Sequence, residues 1–201
     1  PAGAALVIRP KAHRMTDATP RPAPLRRALM LAAGAWALAG CAGPQVQDYA
    51  QERPRLDLRD YLSGPLTAHG VFTDRSGRVV RRFTVQMTGQ WQGDQGTLDE
   101  HFTYSDGSTQ RRVWHLTHLG DGRYRGTADD VVGEALGHSA GNAFRWVYTL
   151  ALPVDGRVWH VELDDWMFRI DEHTVINRST MRKFGIHLGD VTLAFTRAAR
   201  P

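Results

Sequence analysis

The sequence predicts an all-β protein whose strands form an antiparallel up-and-down barrel of about eight to ten strands. Three observations predict it. From Leu66 onward, apolar and polar residues alternate with period two, the spacing of a half-buried strand. Turn-forming residues punctuate that pattern at intervals of roughly ten residues: Ser76-Gly77, Gly93 to Gly96, Asp106-Gly107, Gly120-Asp121-Gly122, Gly141-Asn142, Asp155-Gly156, Asp171-Glu172 and Gly189-Asp190. The runs between them are rich in Val, Thr, Tyr, Phe and Trp, which suit a pleated surface. A two-sheet β-sandwich is the alternative. Long strands on hairpin-length turns favour closure, which leaves no exposed edge.

Residues 1–40 read as an upstream segment and a secretory signal, with Met15 the expected start. Arg26 and Arg27 precede the apolar run Ala28 to Ala39, which is too short for the roughly 20 residues of a spanning helix. The sequence Leu38-Ala39-Gly40-Cys41 resembles the bacterial lipobox. Small Ala39 and Gly40 fit a narrow peptidase cleft, and the Cys41 thiol is the nucleophile that accepts a diacylglyceryl group. The resemblance implies cleavage before Cys41, acylation of the freed amine and attachment to a membrane through covalent lipid. Two or more acyl chains hold stably where one holds only marginally. Ala42, standing where inner-membrane lipoproteins tend to carry Asp, favours the outer membrane facing the periplasm. Cys41 is the one cysteine, so the fold has no disulfide to draw on.

Cleavage also changes the charge. The whole chain carries a formal +4, but residues 1–40 hold six Lys/Arg and one acid. Residues 41–201 keep 19 basic and 20 acidic side chains, a net −1, and the case for nucleic acid disappears. Residues 41–65, with Pro44, Pro54 and Pro65, read as a lipidated tether with one helical turn around Leu56 to Tyr61. Residues 66–197 are the barrel domain. Its strands are expected near 66–74, 78–92, 97–104, 109–118, 122–130, 142–152, 157–168, 173–183 and 190–197, with a further short one in 131–138. Alternation sorts the faces: Leu98, Glu100, Phe102 and Tyr104 share one, as do Arg112, Trp114 and Leu116. Phe144, Trp146, Tyr148 and Leu150 share another, as do Trp159, Val161, Leu163, Asp165 and Met167, and Val191, Leu193 and Phe195.

Several stretches also match in order across nearly all of residues 66–197. They are Gly70 to Gly77 (G-V-F-T-D-R-S-G), Gly89-Gln-Trp-Gln-Gly93, Leu98-Asp-Glu-His-Phe102, Asp106-Gly107 and Arg112-Val-Trp114. Gly126 to Gly133 (G-T-A-D-D-V-V-G), Gly141-Asn142-Ala143, Asp164-Asp-Trp-Met167, Asn177-Arg178 and Lys183-Phe-Gly185 follow. Together they resemble a Gram-negative lipoprotein family known as domain of unknown function 3833. The resemblance implies an outer-membrane lipoprotein with a lipocalin-like, calycin-like barrel, and it brings no catalytic residues. Gly89-Gln90-Trp91 also resembles the lipocalin G-x-W, although here it ends the second expected strand instead of lying on the first.

Chemistry concentrates on the inward faces. Of Asp164 and Asp165 only one points inward, and Asp165 shares its face with apolar neighbours. A carboxylate there needs a partner or a raised pKa. Arg112, Arg178 or Lys183 could supply the charge. The pair then either anchors a ligand headgroup, serves as acid/base, or fixes the barrel register as a buried ion pair. Asp129-Asp130 between Gly126 and Gly133 reads as a bulge or rim loop, since the calcium-loop pattern is missing. Gly141-Asn142 makes a hairpin turn or presents an amide at the barrel mouth. The aromatics fill a core or line a cavity for an apolar ligand. The candidate ligand-binding residues are therefore Trp91, Glu100, Arg112, Trp114, Asp130, Asn142, Trp146, Tyr148, Asp165 and Asn177.

Eight histidines follow Cys41 without metal-ligand spacing, and no nucleophile elbow or phosphate loop occurs. The expectation is a binding protein, not an enzyme, with no cofactor and no metal. It would hold or carry a hydrophobic small molecule such as a fatty acid or lipid. The alternatives are an envelope structural or assembly lipoprotein acting through its outer surface, and an enzyme acting on lipids. Protein partners stay open.

Overall fold

Alternation builds the molecule much as expected. In a computed structural model describing residues 43–154 and 156–197, ten antiparallel strands close into one barrel. They are β1 (Gly64–Asp74), β2 (Val79–Gln92), β3 (Gln95–Tyr104), β4 (Thr109–His118) and β5 (Arg123–Thr127). β6 (Ala135–Ala140), β7 (Ala143–Val154), β8 (Arg157–Arg169), β9 (Thr174–Lys183) and β10 (Ile186–Arg197) complete the ring. Each strand pairs with its sequence neighbours, and β1 pairs with β10. The sandwich alternative is excluded. The signal segment, Leu38, Ala39, Gly40 and Cys41 lie outside the described residues.

Side chains obey the period of two. In β2, Phe83, Val85 and Met87 are buried between exposed or half-buried neighbours. In β7, Trp146, Tyr148 and Leu150 do the same, and Phe144 on the same face is buried next to the small, buried Ala143. Two boundaries differ from expectation. The turn before β10 is Phe184-Gly185, both at positive φ (52° and 76°), the two-residue geometry that matches strand twist. Gly189-Asp190, expected as a turn, instead lies within β10 beside a register shift between His187 and Gly189. The second difference is β5, which stops at Thr127. Residues 128–134 leave the sheet as a loop pinned by an isolated bridge from Val131 to Leu150.

The segment expected to be a tether has a different role in its described part. A 3₁₀ turn (Val46–Tyr49) and a short helix, α1 (Leu58–Tyr61), fold across one end of the barrel. Asp57 caps α1, its side chain accepting from the Arg59 and Asp60 amides. Leu56, Leu58, Tyr61 and Leu62 are all at most 4% exposed. A fully buried Leu is worth about 1.5–3 kcal/mol, so this segment belongs to the core. The Tyr61 hydroxyl reaches the carbonyls of His173 (2.9 Å) and Phe195 (3.1 Å). Arg197 Nη1 donates to the Asp60 carbonyl at 3.0 Å, and the Leu56 amide donates to Gly141 O at 2.8 Å. Gly89 makes room for this plug, because the Leu62 carbonyl occupies the space where a Cβ would stand. One end of the barrel is sealed and the other stays open.

Candidate functional site

The open half of the barrel is hollow. A cavity of about 1040 Å³ runs from the plug residues Leu58 and Leu62 to the hairpin tips at the open end. Its walls are mostly aromatic and aliphatic: Phe83, Leu98, Trp114, Trp146, Leu163 and Leu193 are among them. Trp114 packs edge-on against Trp146 (5.2 Å between centroids) and against Tyr148 (5.4 Å). These contacts follow from one-face alternation on β4 and β7.

Two polar clusters interrupt the apolar wall. The first is centred on Arg112 of β4. Its Nε donates to Asp130 Oδ1 at 2.9 Å, and its Nη2 lies 2.6 Å from Oδ2. Glu100, its cross-strand neighbour on β3, stands 3.7 Å from Nη1, and Glu100 Oε2 accepts no hydrogen bond. Asp130 comes from the 128–134 loop, beyond the end of β5. Farther toward the rim, Gln110 Nε2 reaches Asp130 (3.4 Å) and the Tyr104 hydroxyl donates to Gln110 Oε1 (2.8 Å). Arg81 lies 3.6 Å above the Tyr104 ring and binds Asp106.

The second cluster surrounds Asp165 of β8, which is 6% exposed. The Tyr148 hydroxyl donates to its Oδ2 at 3.2 Å, and the Asn177 amide donates to its Oδ1. Ser179, cross-strand to Asp165, adds a side-chain hydrogen bond. Neither Arg112, Arg178 nor Lys183 pairs with Asp165, and that expectation is corrected. Arg112 is committed to Asp130 and Glu100. Arg178 follows Asn177 by one residue, so it projects outward and is exposed. Lys183 sits at the strand end, 4.7 Å over the Trp159 ring.

Burial sets the protonation of these groups. It pushes the Glu100 carboxyl up to about 7, against the pull of Arg112. It also raises Asp165, although the hydrogen bonds from Asn177, Ser179 and Tyr148 oppose it. Tyr148 is raised well above its ordinary value by burial and by Asp165. Burial alone would lower Arg112, but the hydrogen bond to Asp130 and the charge of Glu100 outweigh it, so the guanidinium stays charged.

Eight of the ten expected ligand-binding residues thus line one cavity: Glu100, Arg112, Trp114, Asp130, Trp146, Tyr148, Asp165 and Asn177. Two do not. Trp91 lies on the second strand near the sealed end, covering Gly96 and packing edge-on against Tyr124. Asn142 sits in the β6–β7 turn at that same end, its amide 3.3 Å from the Arg169 carbonyl, and not at the mouth. The alternation that places Trp91 inward says nothing about depth along the barrel. Ser179 and Met181 also line the cavity and were not foreseen, though period two from Asn177 points to both. Leu58 and Leu62 were missed because they come from outside the barrel strands. Among the described residues, no group of three or more His, Cys, Asp or Glu side chains is placed to hold a metal.

A closed antiparallel barrel, plugged at one end and hollow at the other, defines a lipocalin-like, calycin-type architecture. The chain belongs to the family described as "Protein of unknown function (DUF3833)", which matches residues 35–197. An S-type phycobiliprotein lyase from Guillardia theta shares the fold at a TM-score of 0.56 and 6% identity, over 79% of this chain and 100% of that one. A protein of unknown function from the DUF3598 family of Nostoc punctiforme aligns at 0.51 and 13% identity, over 79% of this chain. The alignment spans 53% of the Nostoc chain, about half its length. At these identities the likeness is one of fold. No curated protein matches the sequence.

Proposed function

We propose that this chain is a lipid-anchored envelope protein whose barrel binds or carries a hydrophobic small molecule. The observation that carries the reading is the cavity itself. About 1040 Å³ of space lies inside an apolar wall that holds a few convergent polar groups, the usual composition of a ligand site. A barrel built only for stability would fill that space with side chains. The plug makes the open end the route of access, and Trp159, Val154 and Val80 line the cavity while also reaching solvent there. Among the described residues, the hydroxyls beside Asp165, Tyr148 and Ser179, are bonded to that carboxyl and no histidine lines the cavity to activate them, which supports reading a binding protein over an enzyme acting on lipids. The test is direct: the acyl-free protein, purified from its bacterial host, is extracted with organic solvent and the extract analysed by mass spectrometry. A stoichiometric apolar compound is the expected result. Protein that is empty, and that takes up no apolar probe, would overturn the reading.

The anchor rests on the lipobox, with Cys41 placed at the periplasmic face of the outer membrane. Cys41→Ser is expected to move the protein from the membrane pellet to the soluble periplasmic fraction. Unchanged pelleting would refute lipidation at that residue.

A second reading, an assembly protein acting through its surface, is favoured by one observation. Large apolar side chains ring the open end, with Phe184 86%, Val158 65% and Ile186 61% exposed. Replacing Phe184 and Ile186 with serine separates the two. Lower ligand content favours a rim that guides the ligand, and unchanged content with altered envelope integrity favours a rim that binds a protein.

A further inference from the structure

Glu100 projects from β3 into the cavity, 8% exposed, and its Oε2 accepts no hydrogen bond. Buried polar atoms are normally satisfied, and an exception facing a cavity marks the place where a ligand atom completes the set. The nearest cation does not complete it. Arg112 stands 3.7 Å away, with its guanidinium already held by Asp130 through contacts of 2.6–3.0 Å. Asp165 projects from β8, five places from β3 around the ten-strand ring. The wall therefore carries three carboxyls, Glu100, Asp130 and Asp165, and two arginines, Arg112 and, toward the rim, Arg81. Arg112 is held by Asp130, and Arg81 Nη2 by Asp106 and Ser108 with only its Nε unpartnered, so a carboxylate or phosphate reaching Glu100 would be placed among like charges.

We propose that the polar end of the ligand is a hydrogen-bond donor, a protonated amine ahead of a hydroxyl, received by Glu100 with Asp165 on the facing wall. Its apolar body lies against Trp114 and Leu163. This inference rests on the cavity being a ligand site, and it narrows the ligand away from fatty acids. The groups that face Glu100 are Arg112 from β4, Trp114 from β4 through a side-chain hydrogen bond to the carboxyl, Asp130 from the 128–134 loop, Asp165 from β8, and the Tyr104 and Tyr148 hydroxyls. β2 sets the uncharged Met87 opposite it. Glu100 holds its proton up to about 7, so affinity for an amine rises as pH climbs through that range and the carboxylate forms.

Trp114 and Trp146 line the cavity, so intrinsic fluorescence reads occupancy. The purified chain is titrated with dodecylamine, 1-dodecanol and dodecanoate below their micellar concentrations, at pH 5.5 and 8. At pH 8 the amine is expected to bind about tenfold more tightly than dodecanoate, the scale of one charge-assisted hydrogen bond, with dodecanol between. The amine preference shrinks at pH 5.5 and in Glu100→Gln, whose folding is checked by circular dichroism. Asp165→Asn serves as a second variant and is expected to weaken the preference as well. Equal or tighter binding of dodecanoate overturns the inference and leaves the cavity reading standing, as does an amine preference that survives both variants. If none of the three compounds binds, the cavity reading fails along with it.

Discussion

At the scale of single residues, the cavity stores an instability that depends on pH. Glu100 titrates near its ordinary 4.5 in an unfolded chain and at about 7 in the barrel. Below pH 4.5 it is protonated in both states and contributes no difference. Between 4.5 and 7 the unfolded chain ionises freely while the folded cavity keeps the proton, so stability falls as pH rises through that window. The shift corresponds to about 3 kcal/mol. Asp165 is raised by burial too and acts in the same direction. Urea denaturation at pH 4.5, 6 and 8 is expected to show this decline in the native protein and a shallower one in Glu100→Gln. Equal slopes would mean that Glu100 ionises without cost. Arg112→Met is the opposite case, because it strands Asp130 and Glu100 without their cation. Breaking one partner of a buried ion pair costs about 3–5 kcal/mol, and the midpoint of urea unfolding at pH 8 measures it. The double variant Arg112→Met/Asp130→Asn is expected to recover part of that loss. That Glu100, Arg112 and Asp165 face inward was legible from alternation alone. Their pairing was not. Asp130 reaches Arg112 on a loop, and Asn177 and Ser179 meet Asp165 through the β8–β9 register, which the turn at residues 170–173 sets.

Among the elements, the strands were readable and the plug was not. Each strand repeats apolar and polar residues between turn signals, and those signals act over a few residues. Leu56, Leu58, Tyr61 and Leu62 have no such period. They stand in a Pro-punctuated, charged stretch, and only the density of apolar residues just before β1 hinted at burial. Gly189-Asp190 misled for the opposite reason, since a glycine inside a strand marks a bulge as readily as a turn. The plug holds through its packing and through Tyr61, whose hydroxyl ties α1 to the β8–β9 turn and to β10. Tyr61→Phe leaves a buried carbonyl without its donor and is expected to cost about 1–2 kcal/mol in urea denaturation. Gly89→Ala has a different effect. Its methyl would occupy the position of the Leu62 carbonyl, so the plug must lift from the barrel end. Limited trypsin digestion is expected to cut at Arg55 and Arg59 much faster in Gly89→Ala than in the native chain. Equal protection would show that the plug is seated in some other way.

For the whole molecule, the question is whether the barrel is hollow by design, and no count of aromatic residues answers it. The same Trp, Phe and Tyr side chains would fill a narrower barrel and only line a wider one. What decides is strand number, since barrel diameter grows with it and ten strands leave more room than eight. One strand boundary at β5 and another at β6 therefore matter more to function than any single motif. A hollow barrel forgoes packing contacts that an occupant can restore. Ligand at about 100 times its dissociation constant adds about 2.7 kcal/mol to folding. For a domain near 150 residues that is a rise of roughly 5–10 °C in Tm. Met181→Trp tests the point from the protein side. Met181 is 8% exposed and lines the cavity on β9, so an indole there takes up ligand space without replacing a polar partner. Filling the cavity in this way is expected to keep or raise the Tm of the empty protein, since cavity-filling changes commonly stabilise. It is also expected to abolish both the ligand-dependent rise in Tm and any compound recovered on extraction. If Met181→Trp folds and still shows the full ligand-dependent rise, the occupant binds elsewhere and the hollow interior is not the site.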